Sequence, residues 1–596
     1  MARLNAKEAI QVGLIGGAIA LSLCMIGLIE AFTERDVITN LISLGRILFF
    51  SAAPVVGYVV CQRQGLKRAP AILIGGLLAG ATAALPIFGL NVLNLLWPNM
   101  RQAFINVSPT LIEIISLGQA NVFAAGLYLI AIYGVLGMVG AALTLLPTQL
   151  RDALITGLGW TIGAGVMSEI LVNILRPRMA QATMNALFGS AGLRLIPAIV
   201  LFVLIVSGRL LWQSWGSRAY ETYRSGLSHR QAVAWQRVGL LLAILLLLIL
   251  PSILGIYLSE IMNNVGLYIL MGLGLNIAVG LAGLLDLGYV TNFAVGAYVM
   301  AVLTSTGPLG VSQKAGIDIF TFWTVLPISV LAAMFTGFVL ALPVLRMRGD
   351  YLAITTLGFG EIIRILARSD WMAPLIGGAQ GILQIPKAAL TGWFAWAVSW
   401  IQLPFVWLFY RFGITLLEVD RNGQIVFGTP PQLYFLLVLA CLLMLFVSRR
   451  LNNSRTGRQW MAMREDEDVA AAMGIDTTRV KIIAFTLSAA SGGLAGAIFA
   501  AKLGSIYPHS FQLLISINVL ALIIVGGMGS IPGIVVGAFA LVGLPELLRE
   551  FAEFRLLFYG IALMVMMLVR PEGLWPSAVT RREMGAEQTA PVTAGD

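Results

Sequence analysis

Gly526-Gly527-Met528-Gly529-Ser530-Ile531-Pro532-Gly533 interrupts an apolar stretch, 511–543, that is too long for one simple helix. Crossing the hydrocarbon core of a bilayer takes about 20 residues. A cluster of glycines with a proline in the middle of such a stretch reads as two half-spans or a re-entrant turn. Irregular backbone at membrane depth has no water to satisfy it, so it must be buried in protein or line a watery cavity. The break is therefore expected in the interior of a helical bundle, away from lipid.

Composition agrees with a membrane setting. The 596 residues are 59% hydrophobic and only 11% charged, with a mean hydropathy of +0.90. A soluble domain carries about 25% charged residues. The expected fold class is an all-α polytopic membrane protein, a multi-span helical bundle. The formal net charge is +10. Its cations sit in short loops between apolar runs, which is the positive-inside pattern and not a nucleic-acid footprint. Cys24, Cys61 and Cys441 lie in or beside apolar segments with no paired spacing and read as small hydrophobes. His229 and His509 are too few and too far apart in sequence to suggest a metal site.

Working outward, apolar runs near 10–29, 41–61, 70–90, 118–146, 153–175 and 193–213 form a first group of about six helices. The first run resembles a signal peptide, but no clear cleavage site follows, and it reads as the first transmembrane helix. Arg63, Lys67 and Arg68 mark a cytoplasmic loop, and 91–117 suits the outer face. Residues 214–237, with Arg218, Arg224, Arg230 and Arg237 against Glu221, form an internal linker expected on the cytoplasmic side. The predicted division is an N-terminal transmembrane extension at 1–237, a second membrane domain at 238–576, and a disordered cytoplasmic tail at 577–596. The second group of runs lies at 238–258, 264–284, 287–306, 322–345, 351–367, 398–411, 432–448, 481–501, 511–543 and 555–570.

Between two of these runs, 449–481 carries Arg449, Arg450, Arg455, Arg458, Arg464, Arg479 and Lys481. It must be cytoplasmic, as must the N-terminus and the tail with Arg581 and Arg582. Within it, 457–476 is rich in Ala and Met, good helix formers uninterrupted by Pro. Arg464 and Asp468 stand four apart and would pair on one face of a continuous helix. Gly474 is a plausible helix stop. Such a helix is either a solvated surface element or a docking element for a soluble partner.

Ionisable residues inside a membrane are costly and are functional candidates by default. Asp286 and Glu361 qualify, each beside a Gly-rich stretch. Asp286 reads equally as the close of a helix end, and Arg364, three residues after Glu361, would pair with it on one helix face. Asn276, Asn292, Thr355 and Thr356 would line a polar path or serve as interhelical glue. Ser488-Ala489-Ala490-Ser491-Gly492-Gly493-Leu494-Ala495-Gly496-Ala497 is nearly all small and reads as a helix-packing surface.

One stretch, Gly272-Leu273-Gly274-Leu275-Asn276-Ile277-Ala278-Val279-Gly280-Leu281-Ala282-Gly283-Leu284-Leu285-Asp286-Leu287-Gly288-Tyr289, resembles the signature of LivM-type permeases of branched-chain amino acid ABC importers. Phe293-Ala294-Val295-Gly296-Ala297-Tyr298 and the segment from Arg348 to Arg364 continue the likeness. Gly377-Gly378-Ala379-Gln380-Gly381-Ile382, Arg464-Glu465-Asp466-Glu467 and Arg570-Pro571-Glu572-Gly573-Leu574 are similar to further family motifs in the family's order. The resemblance covers about 240–576. The first 240 residues depart from it, since typical members have one or a few helices there.

The resemblance implies the fold of the LivM/LivH-type importer permease class and a translocation path shared with a second, LivH-type permease subunit. Two cytoplasmic ATPase subunits would bind ATP and Mg, and an external binding protein would deliver substrate. By the family pattern Arg464, Glu465, Asp466, Glu467, Asp468 and Gly474 belong to the ATPase-coupling segment. Lys at both Glu465 and Glu467 is expected to uncouple transport and leave folding intact. The chain has no GxxxxGK[ST] phosphate loop and no catalytic or metal site of its own is expected. The implied location is a bacterial or archaeal inner membrane. Relatives for urea, short amides or other amino acids share the motifs. A secondary transporter independent of ATPases would need no docking loop, and an intramembrane enzyme would need a convergent catalytic constellation.

Overall fold

In the computed structural model the chain is built almost wholly of helices. The structure describes all residues except 1–3, 67, 98–99, 177–178, 190–191, 217–228, 317–319, 345–346, 348–349, 391–399, 401–424, 548–553, 571 and 577–596. Lys67, Arg218, Glu221, Arg224, Arg348, Pro571, the tail, and all of the 398–411 run but Trp400 thus lie outside the described residues. Among the described residues, ten helices are long and apolar enough to cross a membrane. The chain divides into two compact units, Met1–Val238 and Gly239–Asp596.

In the first unit the spans are Ala6–Met25, Leu44–Gln64, Ala69–Leu96, Val122–Leu145 and Leu195–Trp215. The run at 153–175 differs from a plain span. It is a pair of helices, Thr148–Val166 and Ser168–Leu175, bent by 70°. Glycine weakens a helix by about 1 kcal/mol relative to alanine, and Gly163 and Gly165 directly precede the bend at Met167. The helices approach through glycine. A Cβ on Gly137 would collide with the Gly76 carbonyl, and one on Gly80 with the Tyr133 carbonyl. Small residues at crossings let backbones touch where apolar burial alone gives no advantage over lipid. Phe49, Ile87, Leu129 and Tyr133 fill the core around them.

The second unit holds the spans Leu254–Leu281, Phe322–Pro343, Pro430–Asn452, Thr477–Leu503 and Pro508–Gly526. Shorter apolar helices, Tyr289–Thr304 and Ile531–Glu546, accompany them. The backbone leaves helical geometry at Gly255 (φ 73°, ψ −171°), which separates the runs expected at 238–258 and 264–284. The span at Pro430 begins with a capping box between Thr429 and Gln432 and with proline in its first turn. Proline is favoured there because the first-turn amides have no helical acceptor. Tyr289–Thr304 crosses Thr477–Leu503 where Gly296 faces Gly493 and Gly496 faces Phe293, too close for any Cβ. The small-residue stretch 488–497 lies at this crossing, and the Tyr289 and Ser491 hydroxyls bond across it at 2.7 Å.

Candidate functional site

The break in the 511–543 stretch is a tight hairpin of two helices, Leu513–Gly526 and Ile531–Ala538. Gly527 (φ 117°) and Gly529 (φ 76°) turn the chain in a region that side chains disfavour. The hairpin's loose backbone is satisfied from two directions. The Leu574 amide donates to the Val525 carbonyl (2.8 Å) and the Trp575 amide to the Gly526 carbonyl (2.9 Å). The Gly529 amide donates to Oδ1 of Asn276 at 2.9 Å. The turn is thus closed by protein groups. Asn276 is the last α-helical residue before a π-helical turn, Ile277–Leu281. Such turns mark strain or function more often than chance.

The segment 449–481 reaches into this same cluster. Ser454 caps a helix, Arg455–Glu465, and Asp466 (φ −155°, ψ 115°) breaks it. Asp466 then caps a second helix, Glu467–Ala472, accepting from the amides of Asp468 and Val469 at 2.9 Å each. Asp466 prefers this role because a short carboxylate satisfies orphan first-turn amides. The continuous helix expected over 457–474 is therefore two short ones, and the one-face pairing of Arg464 with Asp468 loses its geometric basis. Arg464 stays exposed, but its Nη1 donates to the Gly280 carbonyl at 2.7 Å. Gly283 (φ 71°) leaves room for it, since a Cβ there would stand 2.9 Å from Arg464 Cγ.

The helical pair is anchored firmly. Trp460 is fully buried, and its Nε1 donates to the Val480 carbonyl at 2.9 Å. Glu467 forms an ion pair with Lys481 at 2.6 Å, with the Lys481 side chain only 3% exposed. This corrects one expectation. Glu467 is an internal partner of a buried cation, so Lys at 467 would set two cations together at a site that needs an anion. Glu465 and Asp468 remain exposed, and so do Val469, Met473 and Gly474. The second helix therefore presents a mixed acidic and apolar face.

The path candidates are placed as follows. Asp286 is buried, and its Oδ1 accepts from the Gly288 amide at 2.9 Å, closing the turn before Tyr289–Thr304. Thr356 is brought beside it. Its Oγ1 accepts from the Leu287 amide at 3.0 Å and donates to the Ala353 carbonyl at 3.0 Å. Asn292 is buried and accepts from the Thr336 hydroxyl at 3.3 Å. Thr355 donates to the Tyr351 carbonyl at 2.8 Å on its own helix. Glu361 pairs with Arg364 on a partly exposed face, with Arg364 Nε to Glu361 Oε2 at 3.0 Å. Asn276, Asp286, Asn292 and Thr356 thus tie helices and turns together, Glu361 bonds within one helix, and the Thr355 hydroxyl also contacts Sδ of Met347 just before its helix, at 2.8 Å.

Four residues escaped sequence reasoning. Lys481 and Lys502 are buried at the two ends of Thr477–Leu503, and each meets an acid, Lys502 with Glu260 at 2.8 Å. A buried lysine with an acid is a structural device that the linear sequence does not display. Thr291 and Tyr298, on the inner face of Tyr289–Thr304, are 2% and 9% exposed. Their hydroxyls have no hydrogen-bond partner. Both line a cleft with Ala294, Gly360, Ile363 and Ala367.

Many membrane-long helices, a two-helix hairpin braced by Asn276, and an outlying helical pair bonded to the adjacent π-turn define a polytopic helical membrane protein. The family model described as "Branched-chain amino acid transport system / permease component" matches residues 257–570. The chain belongs to that family. It is 43% identical to the high-affinity branched-chain amino acid transport system permease protein LivM of Salmonella typhimurium over 310 residues, 52% of this chain and 68% of the relative. The LivM protein of Escherichia coli is likewise 43% identical over 312 residues, with the same shares. The probable branched-chain amino acid transport permease protein LivM of Methanocaldococcus jannaschii is 22% identical over 362 residues, 53% of this chain and 93% of the relative. No solved structure matches the chain.

Proposed function

We propose that this chain moves branched-chain amino acids inward across a bacterial or archaeal inner membrane, as one permease subunit of an ATP-driven importer. The observation that carries the reading is the 43% identity to two LivM permeases, and its coupling part draws on the Arg464–Gly280 hydrogen bond. It joins an exposed docking face directly to the π-turn that braces the Asn276–Gly529 contact. A partner that shifts the helical pair shifts the membrane turn with it. Charge-assisted bonds of this kind are roughly twice as strong as neutral ones.

In this reading the segment 449–481 and both termini face the cytoplasm, and ATP and Mg reside on two partner ATPases. The sequence itself has no GxxxxGK[ST] motif. A LivH-type permease would supply the other half of the path, and an external binding protein would deliver the solute. Glu465, Asp466 and Asp468 together with Val469 and Met473 would meet an ATPase groove carrying basic and apolar groups.

The test is purification from native membranes followed by reconstitution. Two ATPases, a second permease and a binding protein loaded with leucine, isoleucine or valine should co-purify, and liposomes should take up that solute only with ATP inside the assay. Uptake by the chain alone, without ATP, would overturn the reading.

A further inference from the structure

The helices Tyr289–Thr304 and Asp350–Arg368 face one another across a narrow cleft that Pro508 and Phe511 also line. Its walls are mainly apolar, with Val290, Ala294, Ile363 and Ala367, and Arg364, ion-paired to Glu361, is the one charged residue among them. Against this background stand the Thr291 and Tyr298 hydroxyls, buried and without hydrogen-bond partners. Tyr298 is held in place by its ring, which packs on Phe511 at 5.4 Å between centroids. Buried hydroxyls without partners are exceptions in folded proteins and call for a cause. Each hydroxyl donates one proton and accepts two. The pair therefore suits a group that is both donor and acceptor, such as the ammonium and carboxylate of an amino acid.

We propose that this cleft is a solute subsite, in which Thr291 and Tyr298 receive the polar head of an aliphatic amino acid and Ala294, Ile363 and Ala367 its side chain. The inference rests on the importer reading above and adds to it a place in the path. Small-molecule sites have this character: mostly apolar walls with a few placed polar groups that fix orientation. In the present state the cleft admits at most about one water. The proposal therefore requires the two helices to part during transport for the solute to enter. Gly360 lines the cleft with slack to spare. A Cβ there would meet the Thr291 Oγ1 at 3.6 Å, an ordinary contact.

The experiment uses the complete transporter in liposomes with leucine-loaded binding protein at saturation. Thr291→Val with Tyr298→Phe removes both hydroxyls at nearly constant shape. Leucine flux should fall by about ten-fold or more, with subunit assembly and basal ATP hydrolysis unchanged. Ala294→Val narrows the apolar wall and should lower leucine flux more than valine flux. A double variant that assembles and carries leucine within about two-fold of the unaltered complex overturns the subsite, since hydroxyls that merely hold a water are dispensable. If the double variant does not assemble, Tyr298→Phe and Gly360→Ala carry the test singly. The second covers the Thr291 hydroxyl without a clash, and undiminished flux in both overturns the subsite. Absence of any branched-chain uptake by the unaltered complex sinks the importer reading and the assigned solute with it.

Discussion

Arg464 and Gly280, 184 residues apart, are joined by a guanidinium–carbonyl hydrogen bond of 2.7 Å. The contact links the outlying helical pair to the π-turn at 277–281 and through Asn276 to the turn at Gly529. An arginine bond to a neutral acceptor contributes about 1.5–3 kcal/mol. Arg464→Met keeps the stem and removes the donors. It is expected to preserve assembly with the ATPases and to lower the amount of solute moved per ATP hydrolysed by about ten-fold. Parallel assays of uptake and phosphate release in liposomes read this ratio. An unchanged ratio would deny Arg464 the coupling role.

Glu465 and Glu467 should behave differently although they are two residues apart. Glu467 holds the nearly buried Lys481 at 2.6 Å. Removing one member of a buried pair costs about 3–5 kcal/mol, and because Glu467 is partly exposed the lower end applies. Glu467→Lys should therefore lower the thermal midpoint and the yield of folded protein. Glu465→Lys should leave both intact and weaken co-purification of the ATPases. Detergent-phase thermal unfolding with a pull-down separates the two outcomes.

The Asn276–Gly529 contact predicts a local effect. Asn276→Leu leaves the Gly529 amide without its acceptor, at a cost of about 1–3 kcal/mol. Hydrogen exchange should speed up at residues 527–530 and stay unchanged in the first unit. Equal exchange throughout would show that the turn has another support.

Trp460 anchors the coupling segment. Truncating a fully buried tryptophan costs about 3–5 kcal/mol, so Trp460→Ala should detach Arg455–Ala472 and make it a site of proteolysis. Trp460→Phe keeps most of the packing and loses the bond to the Val480 carbonyl. It should cost only about 1 kcal/mol, visible as a small drop in midpoint with normal protease resistance.

Membrane character and the break at 526–533 were legible in the sequence because they depend on runs of apolar residues and on glycine clusters. The packing role of 488–497 was legible for the same reason, since only small side chains permit such crossings. The split of the coupling helix at Asp466 was less visible. Its cause is local competition, in which Asp466 caps a new helix in preference to continuing the old one. The bond of Arg464 to Gly280 and the ion pair of Lys502 with Glu260 depend on residues far away in sequence. No periodicity encodes such meetings. Asp286 and Asn276 were singled out because polar groups in apolar surroundings are costly, yet cost alone does not say whether a group serves a solute or a turn.

The amides of Leu574 and Trp575 close the carbonyls of Val525 and Gly526, and this has a consequence for biosynthesis. A nascent chain emerges from its N-terminus, so the hairpin leaves the ribosome before its two donors exist. Until they follow, the hairpin carries two carbonyls without these partners. Completing this turn is therefore a late act of assembly, and a ribosome that stalls before residue 574 leaves an unfinished seam for cellular quality control to recognise.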